Sequence, residues 1–529
     1  MATEDPHTNS SSGDWALLLL LLLVALVWLY RTPYHASGLE VAPDAVEYAL
    51  APLQLIETGR YEILLEGRPL PPRYPPFFST LVIAPAYLLF GHEPGNAILP
   101  ITLLAVAGVA LAWAIGRRIT SGSVGIFAGL ALLSVPTYTF WGSQVMSDVP
   151  CAALMLGGGL LYLRILERPP SARRDLFAGL LVAIAMLFRP VFAAMMFPFL
   201  FVFWRQRPGF ARRTALFLIP LAAAAVAAAL YNRAAFGSPS RNGYQYWTPV
   251  PCDYLSLSFS LGYFPTNLWG LVHTALPVLL GISILAWIIL KTSARKNAFQ
   301  TSRQRLLQFV VFVALTTGPI LVFHLFYFFP TPRFHLPLLA GTAVIAGSMV
   351  GLLVGERWMR LLKLLLPALL LLAITYRVLA PERAPGRRMA ADRIRQETPA
   401  NAIVLSVIDP VYLERMAASG SSRRIVPLSR RVEYASKLLA PQRIDHPNPP
   451  PLNWHDHRAA GLLSGGALEA VRFVASEQID SLATMAAAGS PLFLDASHLA
   501  TSDAAVLGQL RGRFDFESRA PTLFELHSR

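Results

Sequence analysis

Charge is what this sequence has least of. Only 14% of its 529 residues are Asp, Glu, Lys or Arg, against roughly a quarter in an ordinary soluble domain. That excludes a chain made wholly of water-facing domains. Cysteine is nearly missing: Cys151 and Cys252 are the only two, which rules out a thiol cage for a metal. They remain two thiols, or one disulfide if both face an oxidising compartment. No Lys or Arg precedes the first apolar run. That run passes from Leu17–Tyr30 into Arg31-Thr32-Pro33 without a small-x-small cleavage site, so it is read as a retained span and not as a signal peptide. There is no solenoid-like repeat either.

What is present is apolar and clustered. Hydrophobic residues make up 54% of the chain. Trp15–Tyr30 is almost pure Leu, Val, Ala and Trp, and comparable blocks recur through Thr375. A helix needs about 20 apolar residues to cross about 30 Å of hydrocarbon, and several blocks meet that length. The formal charge of +14 comes from 45 Lys and Arg against 31 Asp and Glu. In a soluble protein this would point to nucleic acid. Here the cations sit between apolar blocks, where the positive-inside rule puts them, so no nucleic-acid partner is expected.

Five basic clusters set the expected topology: Arg117-Arg118, Arg164 to Arg174, Arg205 to Arg213, Lys291 to Arg305 and Arg357 to Lys363. If all are cytoplasmic, the spans between them come in even numbers. Ala97–Ile115 runs inward. Ser123–Phe140 and Val149–Leu163 form a hairpin turning outside near Ser147-Asp148. Leu176–Trp204 is too short for two full spans and is read as two short helices breaking at Arg189-Pro190, because proline disfavours continued helix. Thr214–Tyr231 and Leu271–Leu290 flank an outside loop, Asn232 to Gly270. Leu306–Phe328 and Phe334–Val354 flank the turn Phe329-Pro330-Thr331-Pro332-Arg333, and Leu361–Leu379 exits last. Arg31 after the first span favours the reverse orientation locally, and the five downstream clusters outvote it. Phe77–Phe90, with internal Pro85, is read as an interfacial helix.

The expected fold is thus a polytopic α-helical membrane protein of about 11 transmembrane helices with a C-terminal soluble α/β domain. The divisions are a cytoplasmic tail 1–14, a membrane domain 15–380 whose first outside loop is 31–78, and an outside domain 381–529. In that domain Ala402–Val407, Ile425–Leu428, Pro491–Asp495 and Thr522–Leu526 read as strands, with helices at Gly386–Glu397 and Ser476–Ala488. A proline-rich loop, His446–Pro451, interrupts it. His455-Asp456-His457 reads as a solvated loop in preference to a metal site, since no further ligands are in view.

The first loop carries six carboxylates, and long loops of this kind are often functional. Asp44 and Glu47 open a helical stretch and project from one face at i, i+3 spacing. Read alone, the pair is equally an N-cap with its capping-box partner. Asp148, Arg189 and Arg333 fall on the same side of the membrane by the topology above. Taken singly, Asp148 is an ordinary helix cap and the arginines interfacial snorkellers. Ionisable groups at membrane depth are costly and mark substrate paths, and five on one side point to a site.

The serial order of Asp44/Glu47, Arg73-Tyr74-Pro75-Pro76-Phe77-Phe78, Met146-Ser147-Asp148, Phe188-Arg189-Pro190, Phe236-Gly237-Ser238-Pro239 and Pro332-Arg333-Phe334-His335-Leu336-Pro337 resembles the bacterial membrane glycosyltransferases of the GT-C class. These are relatives of protein O-mannosyltransferase and of the aminoarabinose transferase of lipid A. The resemblance covers roughly residues 15–380. It implies transfer of a sugar, with inversion, from a polyprenyl-phosphate donor to a protein, lipid or polysaccharide acceptor on the outer face of the bacterial inner membrane. The family's acidic motif maps onto Asp44, with Glu47 two residues further from it than the family's adjacent acids, and its second acid onto Asp148. Arg333 takes the place of a family arginine near the donor phosphate, with Arg189 and Arg73 in reserve. Tyr48, Tyr74 and His335 are pocket candidates. No certain cofactor is implied, although a divalent ion at Asp44 and Asp148 is chemically possible. The competing reading is a transporter or flippase of lipid-linked sugars, against which stands the lack of paired broken helices in repeated halves.

Overall fold

The computed structural model describes residues 12–30, 43–65, 68–120, 125–207, 209–247, 258–292, 298–329, 331–353, 356–379, 386–427, 479–499 and 504–529. Residues 1–11, Cys252, the His446–Pro451 loop and His455-Asp456-His457 lie outside them. The described residues divide into two compact units. One is drawn from Met1–Gly38, Asn96–Ala228 and Phe264–Pro381, the other from Leu39–Gly95, Ala229–Tyr263 and Glu382–Arg529.

The first unit is a bundle of apolar helices. Among the described residues of the chain, five helices are long and apolar enough to cross a membrane: Pro94–Ile119, Asp148–Glu167, Phe210–Phe236, Gln300–Leu325 and Pro332–Leu353. Asp14–Leu29, Pro190–Gln206 and Leu365–Thr375 are shorter apolar helices. With no hydrophobic force between helices in lipid, close packing relies on small residues. A side chain at Gly347 would overlap the backbone carbonyl of Phe127, and one at Gly179 that of Phe217.

Two local readings meet different outcomes here. Helix Ala172–Phe188 ends at Arg189, which is extended (φ −150°, ψ 113°), and a 3-10 turn from Pro190 leads into Met196–Gln206. This is the break that Arg189-Pro190 predicts. Ser123–Phe140, by contrast, is not one helix. Ile126–Leu133 stops and Pro136–Trp141 restarts across extended Val135, because Pro136 lacks an N–H and pushes its predecessor out of helical geometry.

Residues from four of the basic clusters gather at one end of this bundle. Arg118 and Arg305 both pair with Glu167, Arg305 at 2.8 Å, and Arg305 also donates to the Arg118 carbonyl at 3.0 Å. Nearby in sequence, buried Arg213 grips Asp175 through two bonds of 2.9 and 3.0 Å. Glu167 is the last residue of the helix that Asp148 begins, so Asp148 stands about 30 Å away along the axis.

The second unit assembles segments distant in sequence. Helix Pro43–Thr58 is followed by a hairpin of β1 (Ile63–Leu65) and β2 (Arg68–Leu70), with Ile63 opposite Leu70. Pro76–Phe90 forms one helical run with a π turn at Ser79–Ile83 ahead of Pro85. At about 22 Å it is shorter than the hydrocarbon core. Its exposed residues are apolar, Leu81, Leu88, Leu89 and Phe90 among them.

The remainder of this unit carries a five-stranded sheet in the order β4-β3-β5-β7-β6, made of β3 (Ile403–Ser406), β4 (Arg424–Pro427), β5 (Leu492–Asp495), β6 (Phe514–Ala520) and β7 (Leu523–Ser528). β3 runs parallel to β4 and β5, while β7 is antiparallel to β5 and β6. Leu405, Leu494, Leu510, Phe514 and Leu526 form its core with Ile479 and Leu482 from the helix at 479–487.

Candidate active site

The sequence-predicted residues fall into two groups, one in each unit. The first group begins on helix Pro43–Thr58. Asp44 and Glu47 emerge from one face, as their spacing requires, and Arg73 comes to meet them. The β1–β2 hairpin reverses the chain, and Pro71-Pro72 and Pro75-Pro76 then leave Arg73 and Tyr74 as the only residues of 71–76 with a backbone N–H. The Arg73 N–H donates to Glu47 Oε2 at 2.7 Å. Its guanidinium lies 3.6 Å from Glu47 Oε1 and 3.7 Å from Asp44 Oδ1. Glu47 therefore serves a tertiary contact 26 residues away, which removes the capping-box reading.

The two acids are not equivalent. The Glu47 side chain is fully buried, whereas that of Asp44 keeps 12% of its surface. Tyr48 stacks on Tyr74 at 4.3 Å between ring centroids, and Tyr244 meets Tyr74 edge-on at 5.7 Å. Burial, with the Asp44 charge second, pushes the Tyr74 phenol well above its ordinary range, so it stays protonated. Gly243 closes the group: a side chain there would overlap the carbonyl oxygen of Arg73.

The second group sits at the end of the bundle away from the Glu167 ion pairs. Asp148, 4% exposed, opens its helix and pairs with Arg189 at the helix break. Arg189 lies over the Phe334 ring at 5.5 Å, and Arg333 lies 5.4 Å from Phe334 and 5.6 Å from Trp141. His324 stacks on Phe334 at 4.1 Å, its Nδ1 2.7 Å from the Ile320 carbonyl. Asp148, Arg189, Arg333 and His324 line one crevice of about 10 Å³, room for little more than a water. His335 is buried beside it in sequence but is not among the residues lining that crevice.

Sequence reasoning missed three contributors. Asn267 donates from one amide nitrogen to the carbonyls of His324, Leu325 and Tyr327 at 3.0, 3.1 and 2.7 Å, tying off the helix end that leads to Arg333. His324 and Gly243 complete the list. A lone Asn or His in an apolar run carries no signature, and only the helix-capping habit of Asn hinted at the first.

In chemical terms, the first group offers a carboxylate beside a fixed cation, suited to proton transfer. The second offers two guanidinium groups over aromatic faces, suited to a phosphate. Each of Asp44 and Asp148 has an arginine as its cation partner. Among the described residues neither belongs to a cluster of three His, Cys, Asp or Glu; the one such cluster is Glu517, Glu525 and His527 at the edge of the sheet.

Residues 74–231 match the model of the dolichyl-phosphate-mannose-protein mannosyltransferase family. The crystal structure of ArnT from Cupriavidus metallidurans bound to undecaprenyl phosphate is similar over 98% of both chains, with 14% identity and a TM-score of 0.58. The apo state of the same enzyme covers the same share at TM-score 0.45 with 14% identity. The apo oligosaccharyltransferase of Archaeoglobus fulgidus gives 0.46 at 13% identity, over 78% of this chain and 64% of that one. No curated protein matches the sequence. The GT-C resemblance carried by the motifs is therefore shared by a family model and by the fold, which is that of a multi-pass membrane protein.

Proposed function

We propose that this protein is a membrane glycosyltransferase that moves a sugar from a polyprenyl-phosphate carrier to an acceptor hydroxyl at the outer face of a bacterial inner membrane. The observation that carries the reading is the family match over residues 74–231, which runs through Tyr74, Asp148 and Arg189. On this reading Asp44 is the general base. It keeps some accessible surface, while Glu47 is spent on holding Arg73. The acceptor oxygen attacks the anomeric carbon, its proton passes to Asp44, and the bond to the phosphate oxygen breaks from the opposite face, inverting the centre.

The departing lipid phosphate gains negative charge as that bond breaks. Arg333 and Arg189 bind it, with preorganised donors acting most strongly where charge develops. Asp148 holds Arg189 in place. A crevice of about 10 Å³ does not admit a phosphate, so on this reading its lining opens as the donor enters. Eleven spans, the outward placement of both groups, and the outside placement of 381–529 belong to the same proposal.

The test is to incubate the purified protein in lipid nanodiscs with radiolabelled polyprenyl-phosphate hexose and an envelope extract. Label on an acceptor, absent with Asp44→Asn, supports the transferase. Label that changes leaflet without being transferred sinks it and revives the flippase.

A further inference from the structure

The role of the C-terminal domain is open in the reading above, and the structure narrows it. Helix Pro43–Thr58 is weakened from within: Pro52 lies inside it and removes the N–H that would bond to the Tyr48 carbonyl. It is held instead at three places. At its start, Glu47 accepts the Arg73 N–H. In its middle, the hydroxyl of buried Tyr87 donates to the Ala49 carbonyl at 2.9 Å. At its end, Arg415 grips Glu57 in a fork, Nη1 to Oε2 and Nη2 to Oε1, each at 2.7 Å.

The third hold comes from the sheet domain. Arg415 sits in the crossover between β3 and β4, on a turn whose geometry is fixed. Asp409 caps the short helix before it, accepting from the Val411 and Tyr412 N–H groups at 2.9 and 3.3 Å. Ala417 and Ala418 after it are buried. A planar guanidinium presented on a rigid turn imposes both distance and direction on its carboxylate partner. Glu57 and Arg415 are each about three-quarters buried at the side chain, at 25% and 29% exposure.

We infer that the C-terminal α/β domain positions the Asp44 helix for catalysis, with Arg415 as its positioning residue and Glu57 as the point of attachment. The inference rests on the proposed transferase reading for its catalytic half alone. Its structural half is measured separately.

The experiment uses full-length protein in nanodiscs as Glu57→Arg, Arg415→Glu and the double charge swap. Misplacement by about 1 Å costs on the order of 10²-fold in rate. Each single variant is therefore expected to lose about 10- to 100-fold in kcat, with KM for the lipid donor within about threefold. The double variant is expected to return to within about threefold of the parent. Hydrogen exchange of the peptide covering 43–58 is expected to speed up in the single variants and recover in the swap. Single variants with parental exchange overturn the inference, as does a swap no better than the singles. A parent that transfers no sugar while the exchange pattern holds removes the transferase reading and leaves the attachment intact.

Discussion

Asp44 and Glu47 lie one helical turn apart and face the same guanidinium, yet the structure assigns them opposite sensitivities. Coulomb attraction across the 3.6 Å between Glu47 and Arg73 is about 4–5 kcal/mol at an effective dielectric of about 20. Desolvation of two buried ions offsets part of it, and a hydrogen bond to a charged group nets about 1.5–3 kcal/mol. Glu47→Gln keeps an oxygen for the Arg73 N–H but loses the charge, so it is expected to cost about 2–3 kcal/mol. That corresponds to roughly 4–12 °C in the unfolding midpoint of a unit this size.

Asp44→Asn leaves the buried Glu47–Arg73 pair in place, at a site that is itself partly wet. Its expected midpoint change is under about 2 °C, but transfer falls about 10²–10⁴-fold, the usual contribution of a general base. Thermal unfolding in nanodiscs and radiolabel transfer, measured on the same preparations, separate the two. The reasoning is refuted if Asp44→Asn retains transfer while a folded Glu47→Gln loses it.

Three further outcomes follow from the same contacts. Gly243→Ala pushes the Arg73 carbonyl away and is expected to destabilise by about 1–3 kcal/mol; the matching readout is a lower unfolding midpoint together with reduced transfer. Arg189→Ala strands the buried Asp148 carboxylate at a cost of about 3–5 kcal/mol, most of which Asp148→Asn in the same chain is expected to restore, as denaturant titration would reveal. The third concerns alkaline pH. The folded Tyr74 phenol lies well above its ordinary value near 10, so its contribution is complete below pH 10. Above that the unfolded phenol ionises while the folded one does not, and stability drops by about 1.4 kcal/mol per pH unit. Between pH 9 and 11 the midpoint of Tyr74→Phe is expected to fall less steeply than that of the parent.

The sequence made some of this legible and hid the rest for physical reasons. Apolar runs mark helices because lipid demands them, and Arg189-Pro190 marks a break because proline forces one. Helix ends were less legible: Phe210–Phe236 outruns the Thr214–Tyr231 stretch, since hydrogen bonding continues where hydropathy stops. Strands β3, β4, β5 and β7 showed through their β-branched and leucine-rich segments. Strand β6 did not, as Phe514–Ala520 is an edge strand rich in charge, and edges are blunted in that way. The three-residue strands of the β1–β2 hairpin are too short for any periodicity. Above all, pattern placed Asp44 and Glu47 on one face, but the partner on that face, Arg73, depends on where a proline-bounded segment folds back.

The fork between Arg415 and Glu57 joins residues 358 positions apart. At a synthesis rate of about 5–20 residues per second, the helix bearing Asp44 leaves the ribosome roughly 20–70 seconds before its clamp exists. Of the three holds on that helix, those from Arg73 and Tyr87 come from residues made soon after it, and the one from Arg415 comes last. On the proposed reading, a product ending before the sheet domain would carry the Asp44 helix without its Arg415 hold and transfer sugar more slowly than the whole protein.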